Sequence, residues 1–260
     1  MHDFISVTEM AGDHVSTEQV DRLYQRYGWA MPYCRDRDVL EVACGTGAGL
    51  GFLKSHARSL IGADLCDNVL STPRLHYGDR IDIRTFDAQD IPLPASSLDV
   101  VILFEALYYL PEPLRFFQSC QRVLRPGGHL LIATANKDLS DFNPSPLSTT
   151  YFGSVELAQT LNQHGFEVSL YGNTPYENTG LRQRTLRPLK QAAVSLGLLP
   201  KSKAGKMLLK RFVFGKPTHF PWEIKQSSIQ HAAPEPISNT EPDQSFKVIF
   251  CEATLKHATQ

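Results

Sequence analysis

The chain has 260 residues, enough for one large domain with an insertion or for two small ones. Its 42% hydrophobic content is that of an ordinary globular protein, and no apolar run approaches the roughly 20 residues of a membrane span. The formal net charge of -1 creates no overall field for nucleic acid, and five scattered cysteines, with neither C-x-x-C nor cysteine–histidine spacing, predict no metal site.

Free thiols, and an amino terminus (Met1-His-Asp-Phe-Ile-Ser) that does not read as a signal peptide, predict a reducing, cytoplasmic setting. Ser16-Thr-Glu-Gln19 reads as a helix cap, with Val20, Leu23, Tyr24 and Tyr27 on one side of a helix running towards Pro32. Strands are predicted at Asp38–Ala43, Ser59–Ala63, Ile81–Phe86, Leu98–Phe104 and His129–Ala135. Helices are predicted between them at Ala48–Ala57, Asp67–Leu75 and Pro113–Leu124. Leu98-Asp-Val-Val-Ile-Leu-Phe104 is almost wholly apolar, as a parallel strand buried on both faces should be. Arg125-Pro-Gly-Gly128 is expected to be a sharp turn. A helix at Ser154–His164 and a sixth strand at Gly165–Tyr171 follow, with Phe246–Lys256 as that strand's natural partner. Alternation of strand and helix implies an α/β fold, a doubly wound, mostly parallel sheet of seven strands.

Val39-Leu-Glu-Val-Ala-Cys-Gly-Thr-Gly-Ala-Gly49 runs from a buried strand through a glycine-rich turn into a helix. Leu50 stands where a G-x-G-x-x-G fingerprint needs its third glycine, which disfavours a pyrophosphate and makes an NAD-dependent oxidoreductase a distant reading. With Glu41 before the turn, the segment resembles motif I of class I S-adenosylmethionine-dependent methyltransferases. Arg125-Pro-Gly-Gly-His-Leu-Leu-Ile132 is similar to a later motif of the same family. The resemblance covers about Ser16 to Tyr171 and lies nearest to the ubiquinone-biosynthesis-type, small-molecule branch. Ala43 departs from it, replacing the glycine commonest in motif I.

The resemblance implies S-adenosylmethionine as cofactor, held around Glu41, Ala43, Gly45 and Gly47. Asp64, 23 residues after Glu41, is placed to accept both ribose hydroxyls, with Leu65 beside it. Asp87 is expected to accept from the adenine amino group and the Ala88 backbone to read the ring edge. Phe104-Glu-Ala-Leu-Tyr-Tyr-Leu-Pro111 is expected to face the sulfonium end, and Tyr24 and Tyr27 to form either a lid or core.

A hydroxyl acceptor needs a base, whereas a neutral amine or a thiolate needs little beyond alignment about 3 Å from the methyl group. Asp138 and Asp141, after the fifth strand, are the candidate bases, with Glu105 third; Asp141-Phe-Asn-Pro also reads as simple turns, as this composition often does. His129 lies at the wrong end of the sheet.

Roughly 70 residues separate the last two strands, too many for a compact loop. From Asn178 to Trp222 there are ten lysines and arginines and no acid, leaving 16 basic against 27 acidic residues elsewhere. Leu186, Leu189, Ala193 and Leu196, and then Met207–Phe214, suggest amphipathic helices suited to an anionic lipid surface or a phosphate-bearing substrate. A nucleic-acid partner is disfavoured because the fourth strand ends in Glu-Ala-Leu-Tyr, without the Asn/Asp-Pro-Pro motif of base methylators. The resulting division is a helical lid at 1–37, a core at 38–172 and 245–260, and a basic insert or cap at 173–244. The expected reaction is methyl transfer to an oxygen or nitrogen of a small molecule, sugar or lipid-linked intermediate. A non-catalytic cofactor-binding module and an RNA methyltransferase using the basic insert remain open alternatives.

Overall fold

The computed structural model describes residues 8–145, 147–176, 218–226 and 233–257. The elements run β1 (His14–Val15), α1 (Thr17–Cys34), β2 (Asp38–Val42), α2 (Leu50–Lys54), β3 (Ser59–Asp64), α3 (Asp67–Tyr77) and β4 (Asp82–Thr85). They continue with β5 (Leu98–Phe104), α4 (Pro113–Val123), β6 (Leu124–Ala135), α5 (Ser154–Gln163) and β7 (Phe166–Pro175). The last strands are β8 (Thr218–His219), β9 (Glu235–Pro236) and β10 (Phe246–Leu255).

The main sheet has the order β4-β3-β2-β5-β6-β10-β7-β9. Strands β2 to β6 pair in parallel, whereas β10 is antiparallel to both neighbours. Seven strands were expected; the sheet has eight because Glu235–Pro236 adds a two-residue edge to β7. Strand order reverses between β3 and β5, on either side of β2, and opens a crevice at their carboxyl ends.

Alternate residues of β5 divide the core. Val100 and Ile102 join a cluster with Leu23, Tyr27, Ala30 and Cys34 of α1. Val101 and Leu103 join Phe116, Phe117 and Cys120 of α4 and Leu157 and Leu161 of α5. Helix α1 opens with the expected capping box at Ser16 and Gln19 but continues through Pro32 to Cys34. A proline so near the helix end removes one late hydrogen bond without ending the packing that holds the helix down. Helix α2 is only five residues long, with Gly49 as its N-cap and Gly51 within it, both poor helix formers. Arg125–Gly128 is part of β6 instead of a turn, and the register with β5 slips between Leu98 and Val100 to accommodate it.

Within the expected lid at 1–37, helix α1 packs onto the core through five buried residues. The two amphipathic stretches of the basic insert lie outside the described residues. Its returning end does not stand apart: Thr218–His219 pairs with β1.

Gly49 has an ordinary φ of -92°, so the backbone does not require glycine. The Tyr27 ring does, because a Cβ at Gly49 would lie 2.0 Å from Tyr27 Cε1. Gly49→Ala is therefore expected to destabilise the protein by about 2 kcal/mol through overpacking. Urea denaturation with an unchanged midpoint would show that the ring moves aside freely.

Candidate cofactor cleft

The crevice beside β2 is a cleft of about 590 Å³, a size suited to a small organic ligand. Helix α1 supplies Gln19, Arg22, Leu23, Arg26 and Tyr27, the stripe i, i+3, i+4, i+7, i+8 of one helical face. The carboxyl ends of β2, β3, β4 and β5 supply Glu41, Asp64, Asp87 and Glu105. Ala43, Gly45, Leu65, Ala88 and Phe104 also line it, as does Phe220 from the returning insert.

Glu41 is 2% exposed, and the Tyr27 hydroxyl donates to its Oε1. Its Oε2 is buried with no partner among the described residues. Burial pushes the Glu41 carboxyl up to about 7, against the lowering effects of the Tyr27 hydrogen bond and Arg26. Asp64 is also raised by burial, while Gly45 N and Cys66 N donate to its two oxygens at 3.0 and 2.9 Å. A carboxylate oxygen has room for a further donor, so Asp64 can still accept hydroxyls from the cleft. The Asp87 side chain accepts from Gln89 N at 2.8 Å and from the Gln89 amide.

Ala43 and Glu105 adopt positive φ values of 51° and 53° at the ends of adjacent central strands. Such non-glycine conformations cost roughly 1–2 kcal/mol each and mark where the backbone is bent to aim a side chain. Glu105 accepts from the Tyr108 hydroxyl at 3.2 Å and stands 3.8 Å from Arg26. Tyr108 stacks on Tyr151 at 4.8 Å and meets Tyr109 edge-on, forming an aromatic wall beside Glu105.

Three expected site residues fall elsewhere. Gly47 lies in the turn but does not line the cleft; its φ of 75° and a 2.8 Å approach of a built Cβ to Pro73 give it a packing role. Asp138 is turned to the amino end of α5 and accepts from Ser154 N at 3.0 Å, so it acts as a helix anchor away from the cleft wall. Asp141 is exposed in the turn region and does not line the cleft. Tyr24 packs half-buried against the core, also off the wall. His129, not expected in the site, faces Glu252 3.3 Å away.

Sequence reasoning missed Arg22, Arg26 and Gln19, although the helical stripe that contains Leu23 and Tyr27 includes them. It also missed Phe220, for which no local signal exists. Arg26 is almost buried, its side chain 12% exposed, and the Nε atoms of both arginines lack a partner among the described residues.

Residues 40–132 match the methyltransferase domain family model. Over residues 40–132 the chain carries a methyltransferase domain, and its similarities are to S-adenosylmethionine-dependent methyltransferases. It is 38% identical over 141 residues to a probable S-adenosylmethionine-dependent methyltransferase of Mycolicibacterium smegmatis, covering 52% of this chain and 54% of that one. It is 28% identical over 110 residues to a ubiquinone biosynthesis O-methyltransferase of Aliivibrio fischeri, covering 41% and 47%. The chain thus spans about half the length of the curated relatives it matches. The solved structure of YcgJ from Bacillus subtilis shares the fold, with a TM-score of 0.57, 15% identity, and coverage of 90% and 99%. The cyclase SpnF does so with a TM-score of 0.57, 17% identity, and coverage of 96% and 87%.

The family's cofactor is S-adenosylmethionine, and this methyltransferase domain has groups suited to it. The orphaned Glu41 oxygen suits an ammonium donor, the open lone pairs of Asp64 suit hydroxyls, and the unpartnered arginine Nε–H groups suit a carboxylate. The Glu41 carboxyl has a sign-dependent cost. Its folded pKa is raised, so the folded state keeps a proton that the unfolded chain loses as pH rises from 4.5 to about 7. In cofactor-free protein, Glu41→Gln should therefore gain stability relative to wild type across that window, by about 3 kcal/mol at most. Denaturation midpoints whose difference does not change with pH would contradict this.

Proposed function

We propose that the protein transfers a methyl group from S-adenosylmethionine to an oxygen or nitrogen of a small molecule, sugar or lipid-linked intermediate. The observation that carries the reading is the row of carboxylates Glu41, Asp64 and Asp87 at the ends of β2, β3 and β4, all lining one cleft. In this reading Glu41, Ala43, Gly45, Asp64, Leu65, Asp87, Ala88, Phe104 and Tyr27 surround the cofactor, and Arg22 and Arg26 take its carboxylate. What S-adenosylmethionine supplies there when bound is an electrophilic methyl group.

The chain's own residues then align the acceptor and exclude water. Tyr108, Tyr109, Leu110 and Pro111 form a mostly apolar wall, which limits competing solvent. Glu105 is the candidate base, because it alone of the three predicted carboxylates lines the cleft. Its αL backbone and the Tyr108 hydrogen bond fix its direction. The basic stretch Asn178–Trp222 would bring the cleft to an anionic lipid surface or bind a phosphate-bearing acceptor. No helix among the described residues is long and apolar enough to cross a membrane. The membrane contact in this proposal is a peripheral one, in a cytoplasmic setting.

Asp64→Ala should weaken calorimetric binding of S-adenosylhomocysteine at least about tenfold, the loss of a bidentate charge-assisted pair; equal binding would sink its assignment to the ribose. Incubation with methyl-labelled S-adenosylmethionine and a cell extract tests the acceptor. Label in the small-molecule or organic-soluble fraction supports the proposal, and label in a nuclease-sensitive fraction replaces it with RNA methylation. Glu105→Gln should lower turnover about 100-fold with cofactor binding retained, in the range of general-base catalysis.

A further inference from the structure

The segment 218–226 returns from the basic insert and crosses beside the glycine-rich turn. It is tied there along its length. Phe220 N donates to Asp13 O at 2.8 Å, and Gly12 N donates to Phe220 O at 2.9 Å. Ile224 N donates at 2.8 Å to the carbonyl of Ala48, within the glycine-rich turn itself. Phe220 and Ile224 are 4% and 3% exposed. The Glu223 carboxylate reaches His76 Nε2 at 2.8 Å and Arg80 at 3.6 Å on the far side of the turn. It lies over Gly51, where a built Cβ would stand 1.9 Å from Glu223 Oε1.

Resting on the reading that the cleft holds S-adenosylmethionine, we infer that this segment is a working wall of the cofactor site. Phe220 is a binding residue of that wall, and Glu223 is the positioning residue that latches it. Three features carry the inference together. Phe220 is the residue of this segment that lines the cleft. The anchor at Ala48 links the segment to the backbone that shapes the cleft, so displacing one disturbs the other. Gly51 sits inside a helix, where alanine is ordinarily better by up to about 1 kcal/mol, yet only glycine leaves room for the carboxylate. The insert thereby contributes to cofactor binding from a place more than 170 residues along the chain from the glycine-rich turn.

The test is calorimetric binding of S-adenosylhomocysteine, with melting temperature measured alongside. Phe220→Ala should weaken binding about tenfold or more, the scale of a lost buried aromatic contact, and Phe220→Leu by less. Gly51→Ala presses against the tip of a flexible side chain, so it should spare the fold while displacing the latch. It should weaken binding about threefold, the worth of a partly exposed ion pair. Glu223→Ala should do the same, and Gly51→Ala added to Glu223→Ala should cost nothing more, because the collision has been removed. A merely structural segment would lower the melting temperature of these variants and leave affinity within twofold of wild type, which overturns the inference. Independent, additive losses from Gly51→Ala and Glu223→Ala overturn the latch. Absence of binding in the wild-type protein overturns the cofactor reading itself, a result distinct from equal binding by all the proteins.

Discussion

The hydrogen bond from the Tyr27 hydroxyl to the buried Glu41 carboxyl is the constraint on which the site depends. It joins the first helix to the end of the first core strand, and it passes over Gly49, whose missing side chain admits the ring. Once Tyr27 is held there, the same helical face carries Gln19, Arg22 and Arg26 onto the cleft. The price is a carboxyl kept out of water with one oxygen unpaired among the described residues, a destabilising arrangement that a bound cation would relieve. Stability has been given up where a ligand is to be held, as at many functional sites.

Strain is placed in the same region. Ala43 and Glu105, neither of them glycine, take left-handed backbone at the ends of β2 and β5. Both strands are central and buried apart from Asp38 and Asp99, so their ladders over-determine the turns that follow. The result is a rigid floor with carboxylates aimed across it. The roof is built differently, from the amino-terminal segment at Thr8 and Glu9 and from Phe220. These two segments are held to each other by the small β1–β8 pair. A rigid floor and a roof assembled from distant stretches suit a cleft that must both grip a cofactor and let it go.

The fold shared with YcgJ and SpnF does not by itself decide chemistry, because sites are grafted onto folds. What distinguishes this cleft is its own donor set. Carboxylates outnumber cations on its wall, and its two arginines come from the helix and not from the sheet. The aromatic wall of Tyr108 and Tyr109 adjoins Glu105, to which the Tyr108 hydroxyl donates.

Much of this was legible in the sequence because it is local or periodic. Apolar runs such as Leu98–Phe104 declare parallel strands, and the spacing from Glu41 through the glycines to Asp64 places carboxylates at successive strand ends. The direction of Asp138 was not legible, because a residue after a strand end can face either the crevice or the next helix. The hydrogen-bonding needs of the α5 amino terminus decided between them. That Gly47 packs against Pro73 and Tyr77 had no local signal, because both come from another helix. Phe220 and Glu223 had no signal at all: their partners Asp13, Ala48, Gly51 and His76 are distant in the chain. The sequence by itself determined the order of strands and helices and the chemistry gathered at the strand ends, since periodicity and glycine placement act over a few residues. Only the tertiary structure decided which of those side chains share the cleft, because burial and hydrogen-bond pairing between distant segments choose the direction each one faces.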